Sequence, residues 1–503
     1  MKIASSSFLS ITLVASFSMA FGQKKPSQPN IIFLMSDQQR WNYIGKIDSG
    51  VKTPALDNIA KEGIIFSQAV CQAPMCVPSR YSLMTGLYPA AVGVFRNGES
   101  LNDENMPCDA LPEVLRKAGY QTAGFGKTHW SSKDCSTRGF DVRYIGHGHD
   151  VNEEKGAVMM IDNNPEGFKR YNEETKKFGS GEEKPEGYIG ITSKVSEGDH
   201  RDGWVFNECL KFLDHGVDTK KPLFLYLSFL KPHAANNVPT GYEELYKLED
   251  MPVPEQPSYN QVEPNHATGT NRESMYRDFW SKADKKQWQQ MILRYRANCT
   301  WIDSMFGRVL DKLKSKGLLA NCLIVFVSDH GEMLGERYYR FNKYCLFENS
   351  VRVPMILGGT VIPKDKRGTI DKRPAELIDI FPTILKISGI TNIDKPGLDL
   401  LGKKQKVASY CEIHERKDTA AYMWRNNDFK LILSIKRQEK NAPIASKDII
   451  AGELYNLKND EREWNNVYNT KKYAVIQNQM SKALLEHIRK IKPIKTRAII
   501  ASK

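Results

Sequence analysis

The sequence predicts an α/β fold: a mostly parallel sheet with helices on both faces, followed by a smaller α+β domain. Three observations predict it. Continuous apolar runs rich in β-formers stand at 30–35, 121–125, 223–229, 323–327 and 353–357, and unbroken runs suit strands buried on both faces. Helical patterns at 53–62, 111–118, 203–213 and 286–316 separate them, and that alternation is the signature of a parallel sheet with crossover helices. The 503 residues exceed what one hydrophobic core usually organises, so a large domain with a smaller companion is expected.

The stretch 286–316 carries Ile292, Tyr295, Cys299, Ile302, Met305, Phe306, Val309 and Leu313 at helical spacing, with Gly317 as a stop; this stripe reads as core packing. Segments 146–203 and 250–272 are polar and read as long surface insertions, a length that in compact domains is often functional. Composition turns polar and basic at 397–404, after which strand-like pieces at 407–411, 421–424 and 429–433 precede a helical stretch at 473–491. The expected organisation is a leader at 1–22, a main domain at 23–404 and an α+β domain with a basic tail at 405–503. No internal repeat is visible.

Lys2, an apolar run from Phe8 to Ala15 and small residues around Ser18, Ala20 and Gly22 read as a secretory signal peptide cut between Ala20 and Gln23. The run is short and serine-rich for a membrane span, no Cys follows it to carry a lipid, and no later stretch is long and apolar enough to span. The mature chain is therefore expected to be exported, periplasmic or secreted, without stable membrane insertion. Hydrophobic (41%) and charged (26%) fractions exclude collagen-like and disordered classes. A net charge of +13 favours an anionic partner; no nucleic-acid-binding motif is present, and a sulfated polymer is the other candidate. The nine cysteines (71, 76, 108, 135, 209, 299, 322, 345 and 411) contain no CxxC pair. Several lie in apolar runs, as buried thiols do, and the odd number leaves one over.

The strongest signal is Cys76-Val-Pro78-Ser-Arg80-Tyr-Ser-Leu83-Met-Thr85-Gly86, six fixed positions in eleven residues. It resembles the signature of the formylglycine-dependent (type I) sulfatases of the alkaline phosphatase superfamily, and the chain looks like a bacterial polysaccharide sulfatase. The resemblance covers nearly the whole chain, in the family's order: 30–38 ending in Asp37-Gln38, the helix at 53–63, the segment 119–129 with Lys127 and His129, the strand 222–233 leading to His233, Ser328-Asp329-His330-Gly331-Glu332, Lys343 with Phe347-Glu348-Asn349-Ser350 and Arg352-Val353-Pro354, and 379–383. It implies an alkaline-phosphatase-like α/β/α sandwich with a mixed, mostly parallel sheet, and a smaller C-terminal domain with an antiparallel sheet.

The implied chemistry explains the residue types. A sulfate monoester needs its equatorial oxygens neutralised, an in-line nucleophile and a proton for the leaving oxygen. By resemblance, Cys76 becomes 3-oxoalanine (formylglycine) through a sulfatase-maturating enzyme. One hydroxyl of its hydrate attacks sulfur, and the other later expels sulfate by re-forming the carbonyl. Asp37, Gln38, Asp329 and the converted Cys76 offer oxygen ligands to a hard cation, Ca2+, with Mg2+ or Mn2+ as alternatives. His330 joins them on the family pattern, with a role behind the ligands as the alternative. Arg80 holds the diol and supports the metal. Lys127 and His129, two apart, face one side of an extended backbone; Lys127 binds a sulfate oxygen and His129 serves the elimination. His233 and Lys343 face the leaving oxygen, His233 as general acid.

Arg96, His147, His149, His200 and Arg201 lie in polar loops and are candidates for binding sugar hydroxyls or carboxylates; His215 and His487 read as core histidines. The substrate class this favours is a sulfated carbohydrate, algal polysaccharide or glycosaminoglycan. Two other functions compete: a phosphonate or phosphate monoester hydrolase of the same superfamily, and a non-catalytic binder of sulfated glycans.

Overall fold

The computed structural model describes residues 28–130, 135–146, 154–179, 184–257, 271–391, 394–414, 418–436 and 445–494. The signal-peptide segment at 1–22, His147, His149 and the last residues of the basic tail lie outside them.

Nine strands form the central sheet, in the order Thr369–Asp371, Ile64–Phe66, Met355–Gly358, Cys322–Ser328, Asn30–Asp37, Leu223–Pro232, Gln121–Gly126, Val142–Ile145, Val158–Met159. Met355–Gly358 pairs antiparallel with both its neighbours; every other pairing is parallel. The sheet is thus mixed and mostly parallel, as expected. The reversal has a local cause: the strand 355–358 follows the strand 322–328 directly in the sheet, without a crossover helix packed on one face.

Alternate residues of the Asn30–Asp37 strand feed two cores. Ile31, Phe33 and Met35 join one apolar cluster and Ile32 and Leu34 the other, which is the period-2 consequence of a strand buried on both faces. The predicted long helix runs Lys285–Ser315. Its N-terminus is closed by a capping box in which Asp284 accepts from Gln287 N and Gln287 accepts from Asp284 N, each at 2.8 Å. Ile302, Met305, Phe306, Val309 and Leu313 pack into the second cluster, as the stripe predicted.

A separate four-stranded antiparallel sheet, Ser409–Ile413, Thr419–Arg425, Phe429–Lys436 and Ile449–Asn456, carries the helix Ala474–Lys490 against it through Met480, Leu484 and Leu485. The insertion at 146–203 is not simply a surface loop. Within its described part Pro165–Phe178 is helical and Tyr171, Tyr188 and His200 are buried; the polar composition hid a few large rings that the core absorbs. All nine cysteines are free thiols. Among the described residues, no helix is long and apolar enough to cross a membrane.

Candidate active site

Four neighbouring parallel strands end at one edge of the central sheet, where open α/β sheets place their sites. Asp37 closes the strand Asn30–Asp37, and Asp329 follows Cys322–Ser328. Lys127 follows Gln121–Gly126, and His233 follows Leu223–Pro232. Across this edge lies the helix Cys76–Thr85, all ten residues of which are buried. Gly86 ends it at φ 66°, and a Cβ there would lie 2.8 Å from Phe381, so the signature glycine answers both backbone and packing.

Arg80, one turn beyond Cys76, organises the charges. Its Nε donates to Asp329 Oδ2 at 2.8 Å, its Nη2 to Asp37 Oδ2 at 3.2 Å, and its Nη1 to Lys127 O at 2.7 Å and Ser228 Oγ at 3.1 Å. Lys127 Nζ takes the same Asp37 Oδ2 at 2.6 Å. The Oδ1 atoms face the thiol and the imidazole, that of Asp329 also accepting from Gln38 N and His330 N at 3.0 Å each. Asp37 Oδ1 lies 3.8 Å from Cys76 Sγ and 4.0 Å from His330 Nε2, Asp329 Oδ1 lies 3.7 Å from that Nε2, and Sγ and Nε2 are 3.2 Å apart. Ligand atoms set at right angles around an ion at calcium-like bond lengths are separated by about 3.4 Å. The four buried residues Asp37, Cys76, Asp329 and His330 bring one donor each within 4.8 Å of one another, so they fit a cation. His330 Nδ1 sits 3.0 Å from Gly331 O, which places its proton there and turns Nε2 to the cluster.

The electrostatics agree. Burial opposes charge on His330, yet Asp329 and Cys76 push its pKa up to about 9; this position attracts positive charge. Burial would raise the Asp37 carboxyl, but Lys127, His233 and Arg80 hold it well below the usual range. Burial and Asp37 oppose ionisation of the Cys76 thiol, and Lys127, Lys343 and His330 overcome them and hold it well below its ordinary value.

The other side of Cys76 is lined by Lys343, whose Nζ lies 3.3 Å from Sγ, 2.8 Å from Gln38 Oε1 and 3.1 Å from His233 Nε2. His233 Nδ1 contacts Ala234 O at 2.6 Å, so Nε2 presents its lone pair to the lysine. Gln38, expected as a metal ligand, sits at φ 62° with its N bonded to Asp329 Oδ1 at 3.0 Å. Its side chain holds Lys343 through Oε1 and donates to Glu332 through Nε2. His129 is half-buried. The extended-backbone argument that put it beside Lys127 does not hold: the strand ends at Gly126 with φ 88°, and His129 itself has φ 55°.

Sequence reasoning passed over several residues that shape the site. Glu332 accepts from Gln38, from Tyr188 OH at 3.2 Å and from Leu334 N at 3.0 Å. Asn97 Oδ1 accepts from Val77 N at 3.1 Å, capping the helix of Cys76 from a distant loop. Lys231, buried, donates to the carbonyls of His233 and Ala235. Glu332 and Lys231 stand inside the segments 328–332 and 222–233 already singled out, Lys231 acting on carbonyls two and four residues ahead; Asn97 acts from a separate loop with no local signal.

The substrate-binding candidates are dispersed. Arg96 Nε donates to His414 O at 2.9 Å, tying its loop to the C-terminal sheet. His200 is a correction: it is 1% exposed, between the rings of Tyr171 and Trp301, with Nε2 2.9 Å from Ser193 Oγ. Arg201 lies over the rings of Phe168 and Tyr171 and donates to Asn172 Oδ1 at 2.7 Å, a packing role. Of the two histidines set aside, His487 packs among Tyr88, Tyr410 and Trp424, whereas His215 is exposed at a helix end and not in the core.

Two family models match the chain: Sulfatase over residues 29–390, and the C-terminal region of N-sulphoglucosamine sulphohydrolase over 335–490. An arylsulfatase of Clostridium perfringens is 29% identical, covering 92% of this chain and 94% of its own. An N-acetylglucosamine-6-O-sulfatase of Bacteroides thetaiotaomicron is 26% identical, covering 92% and 87%. The solved phosphonate monoester hydrolase of Agrobacterium radiobacter shares the fold with a TM-score of 0.72 at 22% identity, over 91% of this chain and 95% of that one.

Proposed function

The chain belongs to the sulfatase family, and from there we propose that it removes sulfate from a sulfated saccharide with a formylglycine made from Cys76. It is a sulfuric ester hydrolase; the nucleophile, the cation and the substrate are the parts proposed. The observation that carries the proposal is the meeting of Cys76 with three cationic side chains and two carboxylates in one buried cluster at the sheet edge.

A sulfatase-maturating enzyme oxidises Cys76, and the resulting aldehyde hydrates to a diol. Asp37, Asp329, His330 and the converted Cys76 would hold a cation, Ca2+ on this oxygen-rich donor set, which would polarise and orient a sulfate oxygen. Arg80 keeps the two carboxylates ionised and fixed. Lys127 and Lys343 flank residue 76 and neutralise the remaining sulfate oxygens. One diol hydroxyl ionises, losing its proton to water and favoured by the Lys127, Lys343 and His330 charges that hold the Cys76 thiol low, and its oxygen bonds to sulfur as the sulfur–oxygen bond to the sugar breaks. The departing sugar oxygen takes a proton from the Lys343–His233 pair, in which the ammonium meets the Nε2 lone pair. The second hydroxyl then loses its proton to His129, the carbonyl re-forms and the carbon–oxygen bond to sulfate breaks, which releases inorganic sulfate and restores the aldehyde. The basic sequence and the likeness to a sugar-specific sulfatase support a saccharide. Export through the leader at 1–22 belongs to the same proposal.

The test is to profile mature enzyme, with formylglycine confirmed by mass spectrometry, against defined sulfated oligosaccharides, aryl sulfate and aryl phosphonate. Sulfated oligosaccharides should be turned over best; preference for phosphonate overturns the substrate class. Cys76→Ala should lose at least about 10⁴-fold in kcat, and chelation should abolish turnover. Unchanged activity in Cys76→Ala would overturn the nucleophile, and indifference to chelator would remove the cation.

A further inference from the structure

We propose that Arg143 and Glu154 are positioning residues that aim Lys127 and His129 through the hydroxyl of Thr128. The inference rests on the roles in sulfate binding and elimination given to those two residues. The strand Gln121–Gly126 pairs with Val142–Ile145 only through Ala123, Gly124 and Phe125, so the chain leaves that ladder just before Lys127. Two left-handed residues, Gly126 at φ 88° and His129 at φ 55°, bend the backbone on either side of Lys127 and Thr128. A side chain at 126 is excluded, since a Cβ there would come within 1.9 Å of Ser228 O. The backbone of Lys127 is still held by the strand Leu223–Pro232, its N donating to Ser228 O at 3.0 Å and its O accepting from Arg80 and from Tyr226 OH at 2.9 Å. Beyond it the backbone that carries Thr128 and His129 is irregular, and something further has to fix it.

Arg143 does so from the next strand. Its Nη1 donates to the carbonyls of Gly124 at 3.3 Å, Gly126 at 2.8 Å and Tyr144 at 2.9 Å. Its Nη2 donates to Thr128 Oγ1 at 2.9 Å and its Nε to Glu154 Oε2 at 2.9 Å. Thr128 Oγ1 completes the ring by donating to Glu154 Oε1 at 3.1 Å. Both charged side chains are 0% exposed. The hydroxyl is used in both directions, so its rotamer is set, and with it the peptide planes on either side. The arginine and glutamate neutralise each other, which leaves the field around Asp37 to Lys127, His233, Arg80 and Lys343. A buried ion pair is costly to assemble for stability alone; here it stands between the two residues whose direction the reaction requires.

Thr128→Val keeps the side-chain shape and removes the hydroxyl; Thr128→Ser keeps the hydroxyl. The valine variant should fold, lose about tenfold to a hundredfold in kcat and hold KM within about threefold, while the serine variant recovers most of kcat. Glu154→Gln, which keeps shape and loses charge, should show the same split between kcat and KM. Valine and serine variants losing equally, or a valine variant within twofold of wild-type kcat, would overturn the proposal. Lys127→Ala and His129→Ala run alongside: if they stay active, the roles assigned to those residues fail and the clamp falls with them. If they lose activity while Thr128→Val does not, the clamp alone is wrong.

Discussion

Two of the buried charge clusters among the described residues are built on opposite plans. At the joint with the C-terminal sheet, Glu348 receives Arg425 Nε at 2.7 Å and Nη2 at 2.8 Å, Lys430 at 3.1 Å and Arg352 at 3.3 Å, and Lys430 reaches on to Glu463 at 2.7 Å. Opposite charges alternate along the chain Arg425–Glu348–Lys430–Glu463. Burial would raise the Glu348 carboxyl, but Arg425 and Lys430 hold it well below its usual range. At the sheet edge, by contrast, Arg80 and Lys127 secure the outer oxygens while Asp37 Oδ1, Asp329 Oδ1, His330 Nε2 and Cys76 Sγ converge on one another. Like-charged lysines stand on the same thiol. Paired charges of this kind hold the joint together, since removing either sign leaves the other buried alone; donors that face inward are organised for something that binds there. Strain of that kind is kept where function needs it.

The sharpest way to break this distinction is Lys343→Met. The methionine preserves the packing of the stem and removes the ammonium from Cys76, Gln38 and His233. Activity (kcat/KM on the best sulfated substrate) should fall by roughly 10²–10⁴-fold, while Tm holds or rises because a cation leaves a cluster already rich in them. A Tm that falls as far as it does in Glu348→Gln would erase the difference between the clusters.

Glu348→Gln makes the reverse cut. It leaves Arg425 and Lys430 buried without their partner, which costs about 3–5 kcal/mol, read by urea unfolding. Below the unfolding transition kcat/KM should stay within about twofold. The pH dependence carries the sign. A carboxyl depressed in the folded state contributes stability above its unfolded pKa, about 4.3 for Glu, and that contribution drains away as pH falls below it. The variant should therefore show a shallower loss of stability on the acid side than wild type. A lowered kcat/KM at full folding would mean that the joint takes part in the chemistry.

Legibility in the sequence divides along the same line. Asp37 and Asp329 were legible because each stands at the end of an apolar strand, the edge at which open parallel sheets place their sites, whereas Cys76, Arg80 and His330 were legible through the resemblance to the sulfatase signature and its companion segments. The sheet was legible because its strands are apolar on both faces. Contacts made across long separations were not: Gln38 to Lys343, Asn97 to Val77 and Arg143 to Thr128 join segments with no local cue. The extended reading of Lys127 and His129 failed at Gly126, where the backbone turns left-handed. The peripheral candidates failed for a different reason. Composition over a long polar segment says where water is on average, and not which single polar residue is inside.

His200 is the clearest case, and it gives the smallest test. It precedes the helix Arg201–His215, whose Trp204, Val205 and Phe206 are buried, and it packs between Tyr171 and Trp301. Burial, with Lys231 nearby, pushes its pKa down to about 3. Below about pH 6.5 the unfolded chain takes up a proton that the folded core refuses. Stability should then decline as pH falls from about 6.5 towards 3, by at most about 1.4 kcal/mol per unit from this one group. His200→Gln removes that slope and leaves kcat/KM for sulfated saccharides unchanged, since the residue lies in the core and touches no part of the charge cluster's ligand set. A raised KM with stability intact would return His200 to the substrate and would mean that this ring-lined pocket opens to it, so the assignment turns on two measurements that cannot both move for the same reason.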